Sequence, residues 1–246
     1  AWTDRNEIAL LYGSGIDSLF DFPFSNNNGF IVNIVNGTYA ASDYVKGMLL
    51  AQEAYSSANP DYVDAPFYTN HDTARSAGFY SADEGPVTKM AYAMSLFMTG
   101  NSFVYYGEEI GMKGAGKDEN KRLPMYWSDD ADDPDICAGP PDKDEIPMKF
   151  PSAAEQMKDD LSIWTWFREV IRVRNAFPAI ARGLTESVDS LSDSNVAAFI
   201  RRSRESGTAN SASDGDLLIV MNLRADTAVK EISGEASAAG GADGSA

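Results

Sequence analysis

The run Phe67-Tyr68-Thr69-Asn70-His71-Asp72 constrains this chain most. An apolar, β-forming stretch that stops in three polar residues reads as a buried strand delivering a carboxylate and an imidazole to the rim of a sheet. A second apolar run, Phe103-Val104-Tyr105-Tyr106, leads into Gly107-Glu108-Glu109-Ile110-Gly111-Met112. The residues between have room for one helix, so the two runs read as the strands of a strand-helix-strand unit lying parallel and side by side. Both then end at one edge, where His71, the only histidine of the chain, adjoins Asp72.

The intervening helix is legible as well. Pro86 stands at a first helical position, Gly100 marks a stop, and residues 87–98 between them are apolar on nearly every side, as in a helix buried among neighbours. Its methionines read as core filling. Upstream, Ile16-Asp17-Ser18-Leu19-Phe20-Asp21-Phe22 reads as a short strand, followed by an Asn/Gly loop and a helix over residues 42–59, with Ser42 as its N-cap and Pro60 beyond. A third helix is expected over residues 157–175, with Leu161, Trp164, Phe167 and Ile171 inward and Arg168, Arg172 and Arg174 on a solvated or ion-paired face.

After Gly183 the period shortens, and residues 196–202, 217–222 and 227–232 read as successive antiparallel strands. The expected organisation is α/β: residues 1–182 carry three parallel strand-helix units, 183–233 a small antiparallel β domain, and 234–246 a disordered tail with no apolar residue larger than alanine. A closed (β/α)8 barrel needs eight such units and roughly 250 residues. Only part of one fits.

Charge narrows the ligand classes. A formal net charge of -17 and a pI near 4.3 exclude nucleic acid and anionic membrane surfaces as natural partners, because phosphates would be repelled. A neutral ligand meets no such repulsion. Cys137, the single cysteine, rules out an internal disulfide and reads as incidental. The run Asp129-Asp130-Ala131-Asp132-Asp133-Pro134-Asp135 lacks the spacing and glycine of a calcium loop and reads as a solvated acidic loop, so no metal or cofactor is expected from these residues.

Taken together, Asn70-His71-Asp72 and Tyr105-Tyr106-Gly107-Glu108-Glu109-Ile110-Gly111-Met112 resemble the fourth signature region and the last barrel strand of the α-amylase family, glycoside hydrolase family 13. The stretch from Tyr12 to Phe24 resembles the sixth barrel strand. Lys121-Arg122-Leu123-Pro124-Met125-Tyr126-Trp127 is similar to the loop after strand eight in oligosaccharide-cleaving members, and Arg172 to Ile180 to the final barrel helix. The resemblance implies a partial (β/α)8 TIM barrel, strands six to eight, followed by the start of the β-sandwich domain. Ala1-Trp2-Thr3-Asp4 resembles the residues that follow the general-acid glutamate of strand five, which would precede Ala1.

In that family a nucleophilic aspartate and an acid/base glutamate, roughly 5 Å apart, carry out a retaining reaction. Neither has a counterpart here. The resemblance makes Asp72 the third carboxylate, which binds sugar hydroxyls more tightly as the ring flattens, and His71 a hydrogen-bond donor to a neighbouring hydroxyl. Asn70 is expected to orient the turn. Together with Arg75 it completes the candidate substrate-binding set. Glu108 and Glu109, adjacent on a strand, would point to opposite sides and are read as structural. Trp127, Tyr106 and Tyr68 are candidates for stacking on sugar rings.

The implied activity is that of the carboxy-terminal part of a hydrolase acting on α-glucan oligosaccharide or polysaccharide, inactive by itself and prone to self-association through exposed barrel edges. A non-catalytic carbohydrate-binding or scaffold module, and a fragment of a related transglycosylase or isomerase, remain open as alternatives at this stage.

Overall fold

The computed structural model describes residues 4–25, 28–79, 85–130, 132–203 and 215–224; the strand expected at 227–232, the tail 234–246 and Ala1-Trp2-Thr3 lie outside them. In chain order the elements are α1 (Arg5–Gly13), β1 (Ser18–Phe20), α2 (Phe30–Val35), α3 (Ala41–Ala58), β2 (Val63–Ala65), α4 (Ser76–Phe79), α5 (Pro86–Leu96), α6 (Asp118–Lys121), α7 (Ala153–Gln156), α8 (Ile163–Ala176), α9 (Pro178–Arg182), β3 (Leu184–Ser187), β4 (Val196–Arg202) and β5 (Leu217–Asn222). No helix among the described residues is long and apolar enough to cross a membrane.

β1 and β2 pair in parallel, Ser18 opposite Val63 and Phe20 opposite Ala65. On the other side of β2, Asn101 N–H and Phe103 N–H donate to the carbonyls of Asp64 and Pro66, each at 2.8 Å, and Phe67 makes a parallel bridge to Phe103. Three parallel segments therefore lie in the order 18–20, 63–67, 101–103, and the described residues close no barrel. The extended part of the middle segment sits earlier than the expected 67–72, because from Thr69 onward side chains rather than a neighbouring strand satisfy the backbone. Gly100 makes the close approach of the third segment to β2 feasible: its φ is +90°, and a Cβ there would lie 2.0 Å from the Asp64 carbonyl oxygen.

Helix boundaries follow caps. α1, not anticipated from the sequence, is capped by Asp4, whose carboxylate accepts from Asn6 N–H at 2.8 Å. α3 begins one residue before Ser42, because Asp43 reaches back to Ala40 N–H at 3.0 Å. α8 starts at Ile163, later than expected, since the Ser162 hydroxyl caps Thr165 N–H at 3.1 Å. Leu161 consequently lies outside the helix and is 82% exposed rather than inward.

β3, β4 and β5 form an antiparallel sheet in that order, with Ser187 opposite Phe199 and Val196 opposite Asn222. β4 and β5 span the expected residues; β3, short and mostly polar, was not foreseen. α3 packs across β3 and β4. The main core is continuous between the helices and this sheet, with Tyr44, Met48, Tyr92 and Met94 joined to Ala197, Phe199 and Met221.

Two buried arginines bind this junction. Arg174, expected on a solvated face, is instead 9% exposed and donates to the carbonyls of Leu96, Met98 and Gly100 just past α5. Arg201, on β4, is fully buried and donates to Phe97 O and the Thr185 hydroxyl, with its guanidinium 4.8 Å over the Phe199 ring. Burial depresses both guanidinium groups to about 10, so they stay charged at neutral pH. Arg168 and Arg172 do remain on the surface, each paired with Glu169.

Candidate functional site

At the carboxyl ends of the parallel segments the chain turns through Asn70-His71-Asp72. The Asn70 side-chain oxygen accepts from Asp72 N–H at 2.8 Å and Thr73 N–H at 3.1 Å, while the Thr73 hydroxyl accepts from Asn70 N–H at 3.1 Å. This Asx arrangement consumes the Asn70 carbonyl oxygen in holding the turn. His71 and Asp72 are free to project, their side chains 61% and 65% exposed, with His71 Nε2 3.5 Å from Asp72 Oδ1.

The same Asp72 oxygen faces Arg122 Nη2 at 3.2 Å, and Arg122 also reaches Asp118 at 3.6 Å. Sequence reasoning did not single out Arg122. The only signal was its place in the Lys121-to-Trp127 run, whose path back over the turn depends on the tertiary fold.

Beneath the turn lies a cleft of about 290 Å³ whose floor is Phe20, Phe22, Phe67 and Phe103 and whose rim includes Asn70, His71 and Asp72. The rings meet edge to face: Phe20 and Phe103 centroids are 4.8 Å apart, Phe22 and Phe67 4.9 Å. An apolar floor below a carboxylate and an imidazole matches a flat ligand with one apolar face and a hydroxylated edge.

Arg75 is not brought to this cleft. It is fully buried behind the turn, with its guanidinium 4.9 Å and 4.7 Å from the Tyr105 and Tyr106 rings. Its Nε donates to Tyr106 O at 3.2 Å and its Nη1 to Lys113 O at 3.4 Å. It braces the segment after Phe103 from within, and direct substrate contact is excluded in this arrangement.

Glu108 is also fully buried. It sits on a short 3-10 turn, Glu108–Ile110, between Gly107 and Gly111, both left-handed with φ of 85° and 67°, so the expected strand geometry of Glu108 and Glu109 is replaced by a tight turn. Its Oε1 accepts from Ser76 N–H at 2.9 Å and from the Thr69 hydroxyl, which also meets Tyr92 OH at 3.2 Å. Burial pushes this carboxyl up to about 7 despite those donors and the nearby Arg75 charge.

Of the candidate stacking residues, Tyr68 is buried edge to face against Tyr92, centroids 5.3 Å apart, and cannot stack on a ligand. Tyr106 is partly exposed but tied through its hydroxyl to Leu123 O at 2.7 Å. Trp127 is 46% exposed. In the acidic run, Asp129 accepts from the Tyr126 and Ser152 hydroxyls, which hold it below the usual carboxylate range. Among the described residues no group of three or more Asp, Glu, His or Cys could hold a metal ion.

Comparison with known proteins agrees with this layout. The alpha-amylase catalytic domain family matches residues 1–183. Among solved structures, Amy13B of Eubacterium rectale superposes with a TM-score of 0.82 at 41% identity, covering 91% of this chain and 42% of that one, and an α-amylase from H. orenii does so with a TM-score of 0.72 at 27% identity. The α-amylase SusG of Bacteroides thetaiotaomicron is 32% identical over 187 residues, 74% of this chain. Alpha-amylase 3 of Dictyoglomus thermophilum is 29% identical over 202 residues, 80% of this chain. The chain spans 25% of the length of SusG and 38% of the Dictyoglomus enzyme. With most of its residues under one family match, parallel strands ending at the Asn-His-Asp turn, and a superposition onto amylase structures, this chain belongs to the alpha-amylase catalytic domain family.

Proposed function

We propose that the three parallel segments are strands six to eight of a (β/α)8 barrel, and that the chain is the carboxy-terminal part of a retaining glycoside hydrolase acting on α-glucans. The observation that carries this reading is the exposed Asp72–His71 pair on the rim of the aromatic cleft, at the carboxyl ends of parallel strands, where barrel enzymes carry their sites. Arg122 supports it, because its guanidinium pairs with Asp72 at 3.2 Å and holds the carboxylate at the rim.

In this reading Asp72 accepts hydrogen bonds from sugar hydroxyls that strengthen as the ring approaches its oxocarbenium-like transition state, His71 donates to a neighbouring hydroxyl, and a phenylalanine ring lies under the apolar face of the sugar. Nucleophile and acid/base come from earlier strands, so the 246 residues bind glucan without cleaving it. Titration calorimetry of the chain with maltoheptaose tests this. Asp72→Ala is expected to weaken binding about tenfold, the loss of one or two hydrogen bonds to a charged acceptor, and neither protein is expected to release reducing ends. Hydrolysis by the wild-type chain well above the Asp72→Ala level would contradict the division of labour.

A further inference from the structure

Two residues flank the Asn70-to-Arg75 turn, Thr69 before it and Ser76 after it, and one oxygen meets both: Glu108 Oε1 accepts from the Thr69 hydroxyl and from Ser76 N–H. We propose that Glu108 is a positioning residue for Asp72, a proton-dependent clasp that fixes both ends of the turn and so sets how its carboxylate is presented to ligand. This inference rests on the glucan reading of the turn.

The geometry favours a clasp over simple core packing. Glu108 Oε2 is buried without a hydrogen bond of ordinary length, although the carboxyl as a whole also interacts with the Tyr92 hydroxyl, so part of its hydrogen-bonding capacity stays unfilled. A purely apolar side chain of the same size would avoid that cost, yet could not tie residues 69 and 76 together. The orphan oxygen is also where a proton would reside. Because burial raises this carboxyl, the closed turn holds a proton that an opened, hydrated carboxyl loses, so the clasp is firmest while Glu108 is protonated and loosens as pH rises through about 7.

The groups facing it leave Glu108 as the element that titrates near neutrality. Arg75 is a fixed positive charge behind the turn. Tyr92, from α5, is buried and pushed well above its ordinary range, so it stays protonated, and Glu109 acts on that same hydroxyl. Burial brings Glu108 itself to about 7.

The test is amide hydrogen exchange by NMR on the 246-residue chain at pH 6 and pH 8, corrected for intrinsic exchange, for wild type, Glu108→Gln and Glu108→Leu. Gln is isosteric with the protonated carboxyl and keeps an acceptor, so it should retain the clasp and lose its pH dependence. Wild-type protection of Ser76 and Asp72 amides should fall about tenfold between the two pH values, one retained proton over the unit above its titration. In Glu108→Gln it should be flat. Leu should be flat as well, about tenfold below the pH 6 wild-type value, with α8 amides such as Val170 unchanged.

A Gln profile that tracks wild type, or Leu retaining the pH 6 wild-type protection, would overturn the clasp. Should Leu not fold, Thr69→Val removes one of the two ties, and unchanged Ser76 and Asp72 exchange in it would overturn the clasp equally. Maltotetraose titration of the wild-type chain, followed at the lone histidine ring, separates the two levels. A histidine shift supports the glucan reading, whereas its absence alongside an intact exchange pattern would overturn that reading and leave the clasp as a fixture of the turn.

Discussion

Replacing Asp64 by asparagine should make the chain more stable, and increasingly so as pH rises. Asp64 lies in the middle of β2 and Asp21 directly follows β1; both are buried, at 5% and 0% exposure, and each carboxyl acts directly on the other. Two adjacent buried carboxyls cannot both ionise, so the pair shares a proton. Burial raises Asp21 to about 6 and, with the Asp21 charge beside it, raises Asp64 well above the ordinary range. The other supports are modest: Tyr55 OH to Asp21 at 3.4 Å and Ala65 N–H to Asp64 at 2.9 Å.

The sign follows from linkage. Between the unfolded value of 3.8 and the raised folded values, the native state holds protons that the unfolded state has lost, so stability falls with pH by about 1.4 kcal/mol per unit for each retained proton. In Asp64→Asn the new side-chain amide supplies an N–H to Asp21 in place of the proton and keeps an oxygen for Ala65 N–H. The variant should therefore gain on wild type by about 1.4 kcal/mol in going from pH 5 to pH 6, one proton over one unit. Surface carboxylates contribute the opposite slope in both proteins and cancel in the difference. Urea unfolding followed by tryptophan fluorescence at several pH values measures it, and a stability difference that does not change with pH would refute the shared proton.

Two further substitutions probe the junction between the helices and the β sheet. Arg174→Met fills a similar volume but leaves the carbonyls of Leu96, Met98 and Gly100 without their buried donor, and should cost about 3–5 kcal/mol in the same urea assay. Gly100→Ala forces a side chain into φ +90° and against Asp64 O, and should cost at least about 3 kcal/mol and perturb the amides of Asn101 and Phe103 in NMR spectra, since those pair with β2.

What was legible in the sequence was whatever repeats locally. The apolar all-round run after Pro86 gave α5, the β-branched and apolar runs gave β4 and β5 to the residue, and Asn-His-Asp located the rim. Boundaries slipped where a side chain several residues away decides them: Asp43 starts α3, Ser162 starts α8, and Asp4 makes a helix of a stretch without strong periodicity. At the site, His71, Asp72 and the orienting part of Asn70 follow from the motif. Arg75 turns away from the cleft, and Arg122, which the sequence did not single out, faces Asp72. Nothing local says that a guanidinium three residues from Asp72 turns inward between two tyrosines, or that one fifty residues away folds back onto it. The sequence places Arg174 on a solvated or ion-paired face and marks nothing about the burial of Asp21, Asp64 and Arg201; tertiary packing buries all four.

The two buried guanidinium groups carry a consequence for how the molecule comes apart. One arrives from a helix and the other from a β strand, and both grip the same short stretch of carbonyls after α5. Neither the helical layer nor the three-stranded sheet can peel away without stranding a charged group in an apolar interior. What looks like an appended module is thus locked to its neighbour like two halves of a buckle, and the pair should melt as one unit.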